Sequence, residues 1–302
     1  MSVTTGRSGG RRPAWLDTAF EPGIVKRADR LGWGFRNETW RVVLADGRRV
    51  AVTRLADTEA TPSIVGLMTS IQPRLLAAGI PSPVLVDLAV ESTKLIVTEL
   101  IDGTPGAELL GQEGGPHVVG SVLGAAWRRL AAVDLAGLDL SATWATPHRL
   151  VSDSFARLTR ARSWLNATDR QLLFADLEAL GSQLSNRRPS FVHGDLIPVN
   201  ILIRRGQIAA LLDFEFVRLA DPLLDAAWFD WIVAYHHPAD EPAAWRAFVT
   251  AADLDDHEPV TRELLRVLPL VRLLEILDDD RLRDDHAGEW IEMLRACLTR
   301  PR

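Results

Sequence analysis

The stretch Phe191-Val-His-Gly-Asp-Leu-Ile-Pro-Val-Asn-Ile-Leu202, followed at short range by Leu211-Leu-Asp-Phe-Glu215, decides how this chain is read. Asp195 and Asn200 stand on a loop that leads into Ile201-Leu-Ile-Arg-Arg-Gly-Gln-Ile-Ala-Ala-Leu-Leu212, two short apolar strands about a turn at Gly206. Asp213 stands at the far end of that hairpin, so three oxygen-bearing side chains converge on one point. Phosphoryl transfer needs such a set: a carboxylate to orient the attacking hydroxyl and accept its proton, and oxygen ligands to hold Mg²⁺ on a nucleoside triphosphate. Asp195 and Asn200 serve both needs, and Asp213 is the principal metal ligand in this reading. Taken one at a time, Asp195 and Asp213 read as loop caps and Asn200 as a turn residue. The ordered set is what points to chemistry.

Upstream, β-rich runs dominate from about Ile24 to Leu100: Glu38–Leu44, Arg49–Leu55 and Lys94–Leu100, with Ala45-Asp46-Gly47 reading as a hairpin turn. A helical stretch around Ser63–Ala78 interrupts them and ends at Gly79, Pro81 and Pro83. After Gly103 helical periodicity takes over, at about 117–133, 152–184, 222–236, 242–252, 259–277 and 286–298. Leu31-Gly-Trp-Gly-Phe-Arg-Asn37 fits a turn between strands whose glycines, Gly32 and Gly34, let backbone approach phosphate oxygens. Alone, two glycines and an asparagine describe many hairpins.

His193-Gly-Asp-x-x-Pro-x-Asn200, with Asp213-Phe-Glu and Asp221-Pro-Leu-Leu-Asp225-Ala-Ala-Trp228, resembles the catalytic core of the aminoglycoside phosphotransferases and related small-molecule kinases. The resemblance extends over most of the chain. It implies an α+β, two-lobed protein-kinase-like fold with a small β-rich N-terminal lobe and a larger, mostly helical C-terminal lobe. The expected division is a disordered stretch over 1–13, a nucleotide-binding lobe over 14–101, and a catalytic and acceptor-binding lobe over 102–302.

By the same resemblance Asp195 is the catalytic base, Asn200 and Asp213 hold Mg²⁺, and His193 shapes the loop. His193 as a metal ligand finds no second His or Cys at ligand spacing. Asp221 and Asp225 are expected to be buried caps. Gly32, Gly34 and Asn37 would meet the phosphates of ATP or GTP, and the backbone of Glu99 to Ile101 would meet the purine edge. A strand cation, usually lysine, contacts the phosphates in the family, and Arg54 takes its place here. Its helix partner, usually glutamate, is missing between Thr61 and Ala78, where Met68 falls near the expected position; Glu59 is a nearby acid.

Residues 221–302 carry 18 Asp and Glu against 9 Arg. Glu275, Asp278 and Asp279, among others, either line an acceptor cleft that concentrates polycations such as aminoglycosides or basic peptide antibiotics, or form a solvated face. Trp228 and Trp231 follow the catalytic segment closely enough to wall a substrate. The expected activity is phosphorylation of a small-molecule hydroxyl, first of a cationic antibiotic with resistance as the result. The rivals are a macrolide or metabolite kinase, and a pseudokinase-like binding module, disfavoured because Asp195, Asn200 and Asp213 are all present.

The rest of the 302 residues bounds these readings. A net charge of −6 gives no field for nucleic acid, and lysine occurs only as Lys26 and Lys94. The chain lacks a long uncharged apolar run, so no membrane contact is expected. The N-terminal stretch through about Pro13 is unlike a signal peptide, and the single Cys297 cannot form an internal disulfide, so the expected location is the cytoplasm.

Overall fold

A computed structural model describes residues 13–31, 37–55, 61–86, 95–279 and 286–300. The expected disordered segment falls almost wholly outside these residues, as do Gly32, Gly34 and Glu59. The first part holds helix α1 (Ala14–Ala19), strands β1 (Val25–Arg30), β2 (Glu38–Leu44) and β3 (Arg49–Arg54), helix α2 (Thr61–Ala77) and strand β4 (Leu95–Glu99). The strands form one antiparallel sheet in the order β1-β2-β3-β4. Alternation gives this sheet two unlike faces. Trp40, Val42, Val50, Val52, Leu95 and Val97 bury one face against Leu16, Ala19 and Phe20 of α1 and its C-terminal end. The other face carries Thr39, Ala51, Thr53, Ile96 and Thr98.

The second part contains α3 (Gly106–Leu109), α4 (Gly115–Leu130), α5 (Pro147–Arg160), α6 (Ala167–Leu184), α7 (Leu223–His236), α8 (Glu241–Ala252), α9 (Pro259–Asp278) and α10 (Ala287–Thr299). Short strands β5 (Thr104–Pro105), β7 (Ile201–Arg204) and β8 (Gln207–Leu211) form one small sheet, and β6 (Ser190–Val192) pairs with β9 (Arg218–Ala220). The stretch read as continuous helix over 152–184 is two helices. Asn166 breaks it by capping α6, its Oδ1 accepting from the backbone N–H of Asp169 at 2.8 Å.

Helix α7 is apolar on nearly every side because it runs through the interior, with Leu223 to Trp231 continuously buried. Helices α4 and α8 pack closely beside it. A Cβ on Gly120 would lie 2.0 Å from the Ala244 carbonyl oxygen, and one on Gly124 would lie 2.4 Å from that of Phe248. Helix α9 completes the core on the other side, with Leu264, Leu268, Val271 and Leu274 in one cluster with Leu173, Leu177 and Trp228.

Candidate active site

The loop between β6 and β7 is fixed by bonds to its own backbone. Asp225, 1% exposed on α7, accepts from the N–H of His193 through Oδ2 at 2.7 Å and from that of Gly194 through Oδ1 at 2.8 Å. Gly194 has φ +78°, and a Cβ there would lie 2.2 Å from the Phe216 carbonyl oxygen, so no other residue fits. The fully buried His193 ring bridges the loop to the end of β8. Its Nε2 lies 2.8 Å from the Leu212 carbonyl oxygen, and its Nδ1 accepts from the Asp195 N–H at 3.3 Å. That pairing makes Nε2 the protonated nitrogen of a neutral ring, and burial holds the imidazole pKa below its usual value.

The β7–β8 hairpin brings Asn200 and Asp213 together. Ile201 faces Leu211 in the ladder, and the Leu212 N–H donates to the Asn200 carbonyl at 2.8 Å. Asn200, 7% exposed, donates through Nδ2 to the Asp195 carbonyl oxygen at 2.9 Å and to Asp195 Oδ2 at 2.8 Å. Asp213 adopts a left-handed backbone, φ +61°, which a short polar side chain tolerates better than most. Its side chain reaches solvent, and partial desolvation by the chain around it, then the charges of Glu215 and Asp195, raise its pKa above the usual carboxylate value. Asp225 is raised to about 7, first by burial.

Asp195, Asn200 and Asp213 thus converge as the loop-and-hairpin pattern requires. The protein-family comparison decides what the constellation belongs to: the model described as the phosphotransferase enzyme family APH matches residues 27–264. The chain belongs to the APH phosphotransferase family. It is an enzyme of the small-molecule kinase type with a protein-kinase-like fold. No curated protein matches it.

Among solved structures, the chain is similar to the GDP and kanamycin complex of APH(2")-IIia, at 17% identity and TM-score 0.70 over 94% of this chain and 97% of that one. It is similar to a ternary complex of a thermostable APH(4)-Ia mutant with AMP-PNP and hygromycin B, at 16% identity and TM-score 0.70 over 94% and 96%. It is also similar to the macrolide 2'-phosphotransferase MphH from Brachybacterium faecium, at 17% identity and TM-score 0.58 over 91% and 94%.

Several residues of this APH-family chain stand elsewhere than the sequence suggests. Arg54 lies on the α1 face of the sheet, its guanidinium 5.4 Å from the centre of the Trp15 ring. The opposite face presents Thr53, whose hydroxyl is 3.1 Å from that of Thr39. The strand thus presents Thr53, and not Arg54, on the face away from α1, since in a strand one residue is a change of face. Asn37 is half-buried at the entry to β2. The Glu99 N–H donates to the Val84 carbonyl at 2.9 Å, and Ile101 is half-buried in the connection that follows β4.

The acceptor residues need a larger correction. Trp228 and Trp231 are 2% and 3% exposed and belong to the core, so they do not wall an open cleft. Glu275 bonds to Arg218 Nη1 at 2.8 Å, Arg272 Nη1 at 2.5 Å and Trp144 Nε1 at 3.2 Å. Against burial, which raises it, the charges of Arg272 and Arg218 hold the Glu275 pKa down at about 2. Asp278 is paired bidentately with Arg160, and Asp279 is half-buried at the end of α9. Arginines distant in sequence thus neutralise Glu275 and Asp278, both expected to attract a polycation.

Sequence reasoning did not single out Arg218 and Arg272. Arg218 Nε donates to the Phe216 carbonyl at 3.0 Å, the same oxygen that crowds Gly194. Arg272 lies over the Phe216 ring at 4.5 Å. The cluster on α9 therefore props the Asp213–Phe216 segment from behind. A buried pair of arginines leaves no mark on local periodicity.

Proposed function

We propose that the protein transfers the terminal phosphoryl group of ATP or GTP to a hydroxyl of a small molecule, with Asp195 as the base that orients and deprotonates it. The observation that carries this reading is the convergence of Asp195, Asn200 and Asp213 on one open point, each locked by contacts to the loop and hairpin. Asp195 receives neutral hydrogen bonds on both carboxylate oxygens and keeps further lone pairs for the acceptor hydroxyl. His193 stays neutral and holds the loop. It takes no proton from substrate, because both of its nitrogens are occupied.

The donor set fits a hard divalent cation. Asp213 is crowded by Glu215 and Asp195 with no cation opposing it among the described residues, and a metal would relieve that repulsion. Among the described residues no three His, Cys, Asp or Glu side chains form a metal cage of their own, as suits Mg²⁺, which keeps phosphate and water ligands. Asp213 and Asn200 would hold it, and it would neutralise charge on the triphosphate. The Ala51 and Thr53 face of the sheet and the connection through Glu99 and Ile101 would enclose the nucleotide between a lobe ending near Ile101 and one beginning at Asp102.

Among the described residues Glu275 and Asp278 are committed to arginines, which favours an acceptor of low charge such as a macrolide or a hydroxylated metabolite over a polycation. An aminoglycoside or basic peptide antibiotic is the alternative, and for any antibiotic acceptor resistance is the consequence. No helix among the described residues is long and apolar enough to cross a membrane, and we place the enzyme in the cytoplasm, where nucleoside triphosphates are available. A coupled nucleotide-turnover screen with ATP and GTP, with and without Mg²⁺, against macrolides, aminoglycosides, basic peptide antibiotics and sugar or amino alcohols tests the reading. Acceptor-dependent, Mg²⁺-dependent turnover is expected. Nucleotide binding with no acceptor-stimulated turnover across the panel would favour a binding module.

A further inference from the structure

Trp228 and Trp231 lie nearly one turn apart on α7 and both are buried, but their indole N–H groups end differently. Trp231 Nε1 has no hydrogen-bond partner among the described residues. Trp228 Nε1 donates to Asp195 Oδ1 at 2.9 Å, while Asn200 Nδ2 holds Oδ2 at 2.8 Å. We propose that Trp228 is a positioning residue for phosphoryl transfer, its indole N–H fixing the plane of the Asp195 carboxylate. The proposal rests on the phosphotransfer reading of the site.

The carboxylate torsion of an aspartate is broad and roughly two-fold, so a single hydrogen bond leaves the group free to swing. One donor on each oxygen removes that freedom and aims the remaining lone pairs in fixed directions. Indole suits the task because it donates only. It accepts nothing from the acceptor hydroxyl and has no proton to exchange in the working pH range. It is also neutral, as is the Asn200 amide, so neither donor brings a positive charge to compete with the incoming proton.

The loop itself offers little else for this purpose. Ile197, 9% exposed, and the half-buried Val199 are the apolar residues between Asp195 and Asn200 that flank Pro198. The missing donor comes from α7, where Trp228 sits one turn beyond Asp225, on the same helix face. One face of one helix thereby grips the loop at two levels. Asp225 binds the backbone of His193 and Gly194, and Trp228 binds the side chain of Asp195.

Trp228→Phe keeps an aromatic ring in the core and removes the N–H. The expected result is a fall in kcat of about tenfold, within the reach of a general-base contribution, with KM for nucleotide and acceptor within about twofold of wild type. A kcat within about twofold of wild type, in a folded variant, overturns the proposal. A second measurement reads the bond without turnover. In ¹⁵N-indole spectra of the nucleotide-free protein, Asp195→Ala should move one indole N–H resonance upfield, and Trp228→Phe should abolish that same resonance. If no indole resonance responds to Asp195→Ala, the hydrogen bond is absent and the proposal fails, even where Trp228→Phe does not fold. A wild-type protein that turns over no acceptor defeats the phosphotransfer reading and this role with it, whatever the spectra show of the bond.

Discussion

The catalytic loop and the small sheet are held in register by different kinds of constraint. In the loop each residue is specified by its own partner: Gly194 by a carbonyl that leaves no room for a side chain, His193 by acceptor and donor on its two nitrogens, Asn200 by the Asp195 carboxylate. In the sheet a residue is specified only by parity. Val50 and Val52 go toward α1 because α1 is apolar, and every alternate residue follows. A motif read on the loop therefore lands on the right atoms or fails visibly. The same reading on the sheet can slip by one place and exchange Arg54 for Thr53 without disturbing the pattern.

The sharpest way to test the loop side of this contrast is Asp195→Ala. It should lower kcat by about 10²- to 10⁴-fold while leaving the nucleotide dissociation constant within about twofold, measured by calorimetry beside steady-state kinetics. Loss of nucleotide binding would show that Asp195 serves the nucleotide and not the acceptor. Next in size is Gly194→Ala, which has to combine φ +78° with a contact of 2.2 Å to a backbone oxygen. It should cost about 3 kcal/mol or more in denaturant unfolding. Gly206→Ala, with φ +72° and nothing within 4 Å, should cost only about 1 kcal/mol, which separates close approach from conformation alone.

Asp213→Asn should raise the Mg²⁺ concentration for half-maximal nucleotide binding by about tenfold or more, because a full charge leaves a hard-cation site. An unchanged Mg²⁺ titration would remove Asp213 from the metal.

Asp225 gives a pH test. Its folded pKa of about 7 lies above the value of 3.8 for a free carboxyl, so the folded state keeps a proton that the unfolded chain has lost between those limits. Its contribution to stability is full below about pH 4 and is lost as pH rises through about 7. Asp225→Asn should flatten the fall of Tm over that window. It should not abolish it, since Asp213 and Glu241 are shifted in the same direction. The variant should also lower Tm throughout, because a carboxamide presents an N–H to one of the two loop amides. A Tm profile parallel to wild type would contradict the assignment.

The smallest effects belong to the sheet. Arg54→Ala should leave nucleotide KM within about twofold, whereas a cation facing the phosphates would give about tenfold. Thr53→Lys, on the cleft face, should change nucleotide KM more than Arg54→Lys does. The reverse order would restore Arg54 to the phosphates.

Much of this molecule is legible in its sequence where a local rule acts. Glu38–Leu44 and the hairpin about Gly206 match their strands, and the long helices after Gly103 fall near their predicted spans. The break at Asn166 was also written locally, since an asparagine followed three residues later by Asp169 is a capping signal inside an otherwise continuous apolar period. What local rules cannot show is who neutralises whom. Glu275 meets Arg218 and Asp278 meets Arg160 only after α9 has packed, so an acidic count over 221–302 overstates the charge on offer to a ligand. Trp228 lies between these cases. Its spacing from Asp225 puts it on the loop-holding face of α7, but no pattern says that the indole turns its N–H toward a carboxylate.

The ion pair between Arg49 and Asp102 joins β3 to the stretch that follows β4, with contacts of 3.1 and 2.6 Å. Both side chains are about half exposed, so the attraction is shared with water and weakened by salt. A tether of that kind holds β3 to the chain that follows β4 only weakly, and raising the ionic strength loosens it.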